Sequence, residues 1–435
     1  MKKLKLLVLS TVCIGFAHAQ TADSTAKRNK FLDSLMIKTP YFGIKFGGFL
    51  RHDAAFDSRQ VIGARESSVL LWPKDVVRDV DGKDINAAPN FQMLAIISRL
   101  SGTITGPDVM KAKTSGIFEA EFFGNTEASI NEFRLRHAWI KLDWKKTQLG
   151  LGQYWNPMTV MDCYAGVVNF NTGAPFMPFN RNPQIRLTQK LGTKFNMIVA
   201  AVSQRDFSSN TEAYRNSALP AGHLQFQFKT AKFVAGIAGH VENLRPKTSG
   251  TIAPGVVKVS NERVTSLSSI AYAKIITKPV MIRAEAFVGQ NASTFVMLGG
   301  FVGYTLPGGL ETYQTMNTKS AWIDIVSNNK KIAPGIFFGY TQNDGTGSSV
   351  DGATVATYGL SSALGAVAAG AGKRTIAYMY RVSPRVEFLF NNFKFGFEIE
   401  CTTAQWGDAE NDGTVRNNKV MATNYRALFA TTYTF

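Results

Sequence analysis

Apolar and polar residues alternate along most of the chain with a period of two, which is the pattern of β-strands that bury one face. In residues 42–57 one parity is apolar apart from His52, while the other parity carries the charged residues Lys45, Arg51, Asp53 and Asp57. Residues 423–435 alternate in the same way and end on an aromatic residue, Phe435. Such strands fit a transmembrane barrel, in which one face meets lipid and the other lines a polar lumen.

The same alternation predicts seventeen strands, at 42–57, 91–105, 113–123, 132–144, 147–154, 184–191, 194–205, 221–230, 232–242, 262–275, 279–290, 295–305, 319–327, 332–342, 374–390, 393–404 and 421–435. Single-chain bacterial barrels have even strand numbers, so one segment between 295 and 342 is expected not to be a barrel strand. We therefore predict an all-β fold, an antiparallel transmembrane β-barrel of about 16 strands, with about 18 as the alternative. Short periplasmic turns would alternate with long outer loops near 58–90, 155–183, 206–220, 243–261, 343–373 and 405–420.

The amino terminus indicates export. Residues 1–19 have the charged start, apolar centre and Ala17-His18-Ala19 cleavage site of a secretory signal peptide. Residues 20–41 are polar and are predicted to be a periplasmic segment, so the barrel would cover residues 42–435. A final phenylalanine on an amphipathic strand is similar to the assembly signal of outer-membrane proteins. The predicted location is the outer membrane of a Gram-negative bacterium.

The charge of the chain points to anions. Removing Lys2, Lys3 and Lys5 with the signal peptide lowers the formal net charge from +17 to +14. A nucleic-acid partner is not expected, because the exported chain has neither a basic helix nor an RNP-type motif. A positive field acting on small anions is the better interpretation. Cys163 and Cys401 remain after cleavage, and the sequence leaves their pairing open.

Charged residues on the polar parity predict a lumen with more basic than acidic groups. The predicted pore-lining and anion-binding residues are Lys45, Arg51, Arg99, Arg134, Arg136, Arg186, Arg283 and Arg381. The expected ion-pair partners are Asp53, Glu119 and Glu121. Because a guanidinium stays charged and binds carboxylate or phosphate through two N–H groups, the excess predicts an anion-preferring pore. The alternative is that these charges satisfy one another across strands.

Residues 155–182 form a long connection that contains Pro157, Pro175 and Pro178 and few charges. Loops of this length without regular structure are usually functional or disordered, and the Pro, Phe and Gly content favours a folded segment. We expect this loop to fold into the lumen as a constriction, with Asp162 and Arg181 at the narrow section. A position on the outer surface or at a subunit contact is the alternative.

Four motifs resemble a known family: SRLSG at 98–102, GIFEAEFFG at 116–124, FRLRHAW at 133–139 and LGQYWNP at 151–157. Their succession resembles the amino-terminal half of the DcaP-like porins and, more distantly, the phosphate-selective OprP and OprO porins, over about residues 42–190. The resemblance implies a sixteen-stranded trimeric channel for small anions, either dicarboxylates or phosphate and polyphosphate. It also implies that Arg99, Arg134 and Arg136 face the lumen, paired with Glu119 and Glu121. The long amino-terminal coiled coil of many DcaP-like proteins is missing, and no lysine-rich ladder is apparent.

No enzyme activity, cofactor or metal is predicted. The histidines are scattered without metal-ligand spacing, and no Ser-His-Asp constellation stands out. The predicted function is passive diffusion of small anionic solutes through a homotrimeric outer-membrane porin. The alternatives are a closed structural or secretion-associated barrel and an outer-membrane barrel enzyme.

Overall fold

The computed structural model describes residues 36–39, 41–204, 211–348, 354–359 and 373–435. The predicted signal peptide and most of the segment 20–41 lie outside these residues. The described chain is a closed antiparallel barrel of sixteen strands, which confirms the predicted fold. The strands, in chain order, are β1 Gly43–Asp57, β2 Asn90–Leu94 with Arg99–Thr105, β3 Lys113–Glu121, β4 Arg134–Asp143, β5 Thr147–Trp155, β6 Arg181–Lys190, β7 Phe195–Val202, β8 Ala221–Lys229, β9 Phe233–Leu244, β10 Val264–Ile276, β11 Val280–Gln290, β12 Asn317–Ser327, β13 Ile332–Gly345, β14 Arg374–Phe390, β15 Phe393–Asp408 and β16 Val420–Thr434.

Each strand pairs with its neighbour in sequence, and the last strand closes the sheet on the first. The closing register runs from Phe49 opposite Thr434 to Asp57 opposite Arg426. Strand β2 is interrupted at residues 95–98, and its two pieces pair with opposite halves of β1. Closure leaves no free sheet edge, which a membrane requires because lipid cannot hydrogen-bond exposed backbone groups.

The connections divide the barrel into two ends. Short turns such as 144–146, 230–232 and 391–392 lie at one end, hereafter the turn end, and the long loops lie at the other, the loop end. The loops contain an α-helix, Thr211–Ser217, and 3₁₀ turns at Glu127–Ser129, Met161–Cys163 and Ala292–Phe295. No helix in the described part of the chain is long and apolar enough to cross a membrane.

The surplus seventeenth strand is the segment 295–305. Its alternating part, Phe301–Thr305, is a loop strand that pairs with Glu311–Thr315 and Thr354–Tyr358 in a separate small sheet. Phe301 is buried there against aromatic residues of the same loops, so its alternation reflects packing between loops. The connection between β11 and β12 is therefore a long loop that the sequence did not predict. Further loop hairpins pair Val61–Ala64 with Val69–Pro73 and Ser249–Ala253 with Val256–Val259.

The two faces of the strands differ as their alternation predicts. Outward residues are apolar and exposed, as in β1, where Leu50 and Phe56 are 59% and 44% exposed. Inward residues near the loop end are buried against side chains from the loops, among them Trp72 and Phe295. The loop end is thus filled by an apolar cluster, while inward polar residues become more exposed toward the turn end.

Candidate functional site: the inward face and the β5–β6 loop

Residues 156–180, the β5–β6 loop, contact inward-facing side chains around much of the barrel. The backbone N–H of Gly166 donates to Asp324 Oδ2 on β12 at 3.1 Å. The N–H of Val168 donates to Glu398 Oε2 on β15 at 2.6 Å, and its carbonyl accepts a hydrogen bond from Arg51 on β1 at 2.6 Å. The loop is therefore tied to three separate parts of the wall by charged groups.

Two further contacts fix the second half of the loop. The side-chain amides of Asn169 and Asn171 both donate to Glu400 Oε2, at 2.9 and 3.0 Å. Arg381 Nη1 donates to the Ala174 carbonyl at 2.7 Å. Moving the loop would leave these buried polar groups without hydrogen-bond partners, which costs free energy. The contacts therefore hold the loop in one conformation.

Glycine allows the loop to approach the wall closely at residue 166. A Cβ atom there would lie 2.7 Å from Arg283 Nη1 and 3.0 Å from both Arg385 Nη2 and Asp324 Oδ2. Any side chain at this position would therefore displace a charged group of the wall.

Arginines and glutamates form a cluster on the opposite part of the wall, on β2, β3 and β4. Glu121 is fully buried and accepts from Arg134 Nη2 at 2.8 Å, Arg136 Nη1 at 2.6 Å and Arg99 Nη2 at 3.1 Å. Glu119 accepts from Arg136 Nε at 2.7 Å. Three guanidinium groups thus share two carboxylates, and the cluster keeps a net positive charge.

A β-bulge shapes this cluster. Glu119 lies opposite His137 while the neighbouring Ala120 lies opposite Leu135, so Arg136 is an extra residue in β4. Arg136 and His137 are consequently both buried on the inward side, although they are adjacent in sequence. Bulges re-aim side chains in this way, and a strict period of two would have placed His137 in lipid.

Aromatic rings make cation–π contacts with guanidinium groups of this cluster. The Arg134 guanidinium lies 4.5 Å from the Phe123 ring centre, and that of Arg99 lies 4.9 Å from Phe49. Such contacts hold a cation in place without neutralising its charge.

Arg186 on β6 differs from the clustered arginines. Its Nε and Nη2 donate to Gln184 Oε1 at 3.0 and 2.7 Å, and Nη2 also donates to the Trp155 carbonyl at 2.5 Å. Its guanidinium lies 5.7 Å from the Trp139 ring and 5.9 Å from the Tyr154 ring. Within the described residues no carboxylate oxygen lies within 4.0 Å of it, so it keeps its full charge.

The remaining predicted residues are spread around the lumen. Arg51 pairs with Asp53 at 2.8 Å, Arg283 with Asp324 at 2.8 Å and Arg381 with Glu400 at 3.1 Å. Six of the eight predicted pore-lining cations therefore have a carboxylate partner: Arg51, Arg99, Arg134, Arg136, Arg283 and Arg381. Lys45 and Arg186 have none among the residues that the structure describes.

The two residues expected at the narrow section lie apart. Asp162 in the β5–β6 loop pairs with Lys229 on β8 at 2.7 Å, near the turn end. Arg181 begins β6 and is buried against the Trp155 ring at 5.2 Å. Cys163 and Cys401 are both free thiols, the first in the β5–β6 loop and buried against the carbonyls of Ala273 and Ala284, the second on the outward face of β15.

Sequence reasoning predicted Lys45 as pore-lining but missed that it belongs to a set of lysines at the turn-end mouth of the barrel. One lysine occupies the inward parity near the turn end of several strands: Lys45, Lys113, Lys141, Lys190, Lys229, Lys274 and Lys394. Lys113, Lys229 and Lys394 pair with Asp108, Asp162 and Glu387. The other four, hereafter the mouth lysines, have no carboxylate within 4.0 Å in the described chain: Lys45, Lys141, Lys190 and Lys274. Part of the signal was available, because Lys45 and Lys190 share the parity of inward arginines in their own strands, whereas the bulge in β4 gives Lys141 the opposite sequence parity to Arg134 and Arg136.

No three His, Cys, Asp or Glu side chains of the described residues converge as ligands for a metal ion.

The fold and the inward face define a membrane channel of the porin type. Residues 23–252 match the family described as DcaP outer membrane protein, and the chain belongs to this family of outer-membrane proteins.

Solved structures show the same barrel. The outer membrane channel DcaP of Acinetobacter baumannii is 17% identical, with a TM-score of 0.63 over 92% of this chain and 99% of that chain. The trimer form of OmpT of Vibrio cholerae is 10% identical, with a TM-score of 0.54 over 91% and 100%. An anion-selective porin from Comamonas acidovorans is 10% identical, with a TM-score of 0.50 over 91% and 100%. No match was found among curated proteins.

Proposed function

We propose that the protein is a passive channel for small anionic solutes, entered at the turn end past the mouth lysines and lined further in by the arginine cluster and Arg186. The observation that carries this proposal is the set of inward cations without carboxylate partners among the described residues. These are Arg186 and the four mouth lysines. Near the mouth, Asp108, Asp162 and Glu387 pair with other lysines, and Asp143 on β4 accepts a hydrogen bond from Gln148.

The charged groups favour anions over cations both at the mouth and at Arg186. Ammonium groups at an open mouth raise the local concentration of anions, because charges in a cleft with low-dielectric walls focus the field. The guanidinium of Arg186 presents N–H donors that fit carboxylate or phosphate oxygens. The exposed fractions of Arg99 and Glu119 side chains, 17% and 18%, are consistent with a path that passes this part of the wall. Small carboxylates and phosphate-like ions are thus the solutes of the proposal.

The β5–β6 loop would set the width of this path. It is tied to β1, β12, β14 and β15 by hydrogen bonds, and its Asp162 also pairs with Lys229 on β8, so it narrows the lumen. The alternative, a closed structural barrel, is favoured by the same dense anchoring and by the pairing of six arginines. A measurement of conductance distinguishes the open channel from the closed barrel.

The test is the reversal potential of the purified protein in a planar bilayer under a potassium chloride gradient. We expect an open channel that prefers chloride. Replacing all four mouth lysines by glutamine should lower the chloride preference, whereas a matched control that neutralises Lys83, Lys258, Lys373 and Lys419 at the loop end should leave it unchanged. Absence of conductance would overturn the proposal in favour of the closed barrel, and cation preference would overturn the anion assignment.

We also propose that the channel is a homotrimer. Support comes from the shared fold with a barrel that is known in a trimer form. Electrophoresis of unheated samples, with chemical crosslinking at low protein concentration, should give a band at three times the mass of the monomer. A single monomer band under both conditions would contradict a trimer.

A further inference from the structure

We propose that exposed lysines in the turns at the turn end bind the phosphate groups of anionic phospholipids in the facing leaflet. These residues, hereafter the lysine rim, are Lys145, Lys146, Lys194, Lys232, Lys278, Lys330 and Lys331. They occupy five successive turns, from the β4–β5 turn to the β12–β13 turn. They lie in the turns, whereas the mouth lysines lie on the strands.

The rim has no counter-charge of its own. All seven lysines are exposed, and none has a carboxylate oxygen within 4.0 Å among the described residues. At the loop end, by contrast, several basic groups lie beside carboxylates, as Arg59 does beside Asp84 and Arg374 beside Asp75 and Asp408, although Lys83, Lys258, Lys373 and Lys419 have no carboxylate oxygen within 4.0 Å in the described chain. Acidic residues are fewer at the turn end, where Asp108, Asp143 and Glu387 lie, so the lysines there are less compensated.

The rim lies at the level of lipid headgroups. Phe195, Phe228 and Phe233 form an outward aromatic group with ring centres 5.0 and 6.0 Å apart, as expected for the girdle at a membrane interface. Lys194 and Lys232 immediately precede two of these rings in the chain. A lysine just beyond an interfacial aromatic extends its ammonium group to the headgroup layer.

The arrangement favours a membrane over a soluble partner. The rim follows the perimeter of the barrel over five hairpins, and a flat lipid leaflet is the surface that meets all of them at one height. In the outer-membrane barrels the short turns face the periplasm, so this leaflet is the one made of phospholipids. Basic groups beside an anionic leaflet gain attraction that falls off within a Debye length.

The test compares unfolding in urea of the full-length protein inserted in vesicles of phosphatidylcholine, with and without phosphatidylglycerol. The rim variant replaces Lys194, Lys232, Lys278 and Lys331 by glutamine, and the control neutralises Lys83, Lys258, Lys373 and Lys419 at the loop end. We expect phosphatidylglycerol to raise the midpoint for the wild type and the control. The shift should be reduced by at least half in the rim variant and restored when the four lysines are replaced by arginine.

Equal shifts in the rim variant and the wild type would overturn the proposal, as would an equal loss of the shift in the loop-end control. Soluble glycerol phosphate in place of phosphatidylglycerol should leave the midpoint unchanged. If it raises the midpoint as much, the rim binds free phosphate compounds and the assignment to a lipid surface is wrong.

Discussion

At the scale of single residues, Arg186 is the most informative position in the lumen. It is held by Gln184 and the Trp155 carbonyl rather than by a carboxylate, so its charge is available to a solute. Arg186→Gln should therefore lower the chloride-to-potassium permeability ratio without unfolding the barrel. Arg283→Gln is the matched control, because Arg283 already pairs with Asp324 and should change the ratio less. A larger effect at Arg283 than at Arg186 would contradict this assignment.

Glu121 is expected to stabilise the barrel, whereas Arg186 is expected to act on the solute. Its side chain is fully buried and holds three guanidinium groups, so Glu121→Gln would leave Arg99, Arg134 and Arg136 with Glu119 alone. Removing one member of a buried ion pair costs about 3–5 kcal/mol, and we expect a loss of that order in the free energy of unfolding in urea. Glu387→Gln, at the more exposed pair with Lys394, should cost less, about 1 kcal/mol. Equal losses in both variants would show that the cluster does not stabilise the barrel.

At the scale of elements, most of the strands could be predicted, because one face in lipid imposes a strict period of two. The period of two gave a wrong prediction in two places. The segment 295–305 alternates because Phe301 packs between loops, which a sequence pattern cannot distinguish from packing against lipid. The bulge at Arg136 breaks the parity of β4, so the inward position of His137 follows from strand pairing rather than from the pattern.

The charged site was predictable by residue type, and its acidic partners Asp53, Glu119 and Glu121 were expected, but the strand pattern alone does not fix which arginine meets which carboxylate. Parity selects Arg99 and Glu121 as inward residues, yet their contact depends on the register between β2 and β3. Of the mouth lysines only Lys45 was predicted, and the group as such was missed for a related reason. Each strand contributes only one, and they become a group only when the ends of separate strands are brought to the same height.

The β5–β6 loop can be probed through Cys163. This thiol is buried, and desolvation by burial raises its pKa to about 12. A thiol with a raised pKa stays protonated at neutral and mildly alkaline pH, and only the thiolate is nucleophilic. In a Cys401→Ser background, Cys163 should therefore react with a water-soluble maleimide at least tenfold more slowly in the folded protein than in urea. Rapid labelling of the folded protein at pH 7.5 would show that the loop leaves its site.

Glu400→Ala is the companion variant, because it removes the acceptor for Asn169 and Asn171 of the loop. Labelling of Cys163 should become faster in this variant while the barrel remains folded. An unchanged labelling rate would mean that the remaining contacts of the loop are sufficient to hold it.

At the scale of the whole molecule, the positive charge is distributed unevenly. The loop end pairs part of its charge locally, the arginine cluster is partly compensated, and lysines without carboxylate partners gather at the turn end, both on the strands and in the turns. The proposed anion entry and the proposed lipid contact both use this end of the barrel.

This distribution predicts how selectivity depends on salt. The mouth lysines are in contact with solvent, and the Debye length falls from about 10 Å at 0.1 M salt to about 3 Å at 1 M. Their contribution to chloride preference should therefore be large at 0.1 M and small at 1 M potassium chloride. Arg186 acts at contact distance in a partly buried site, so its contribution should persist at 1 M. We would measure reversal potentials at both concentrations for the wild type, the four-lysine variant and Arg186→Gln. These values separate the contribution of the mouth lysines from that of Arg186. If the four-lysine variant loses as much selectivity at 1 M as at 0.1 M, the mouth lysines bind anions directly instead of acting through their field.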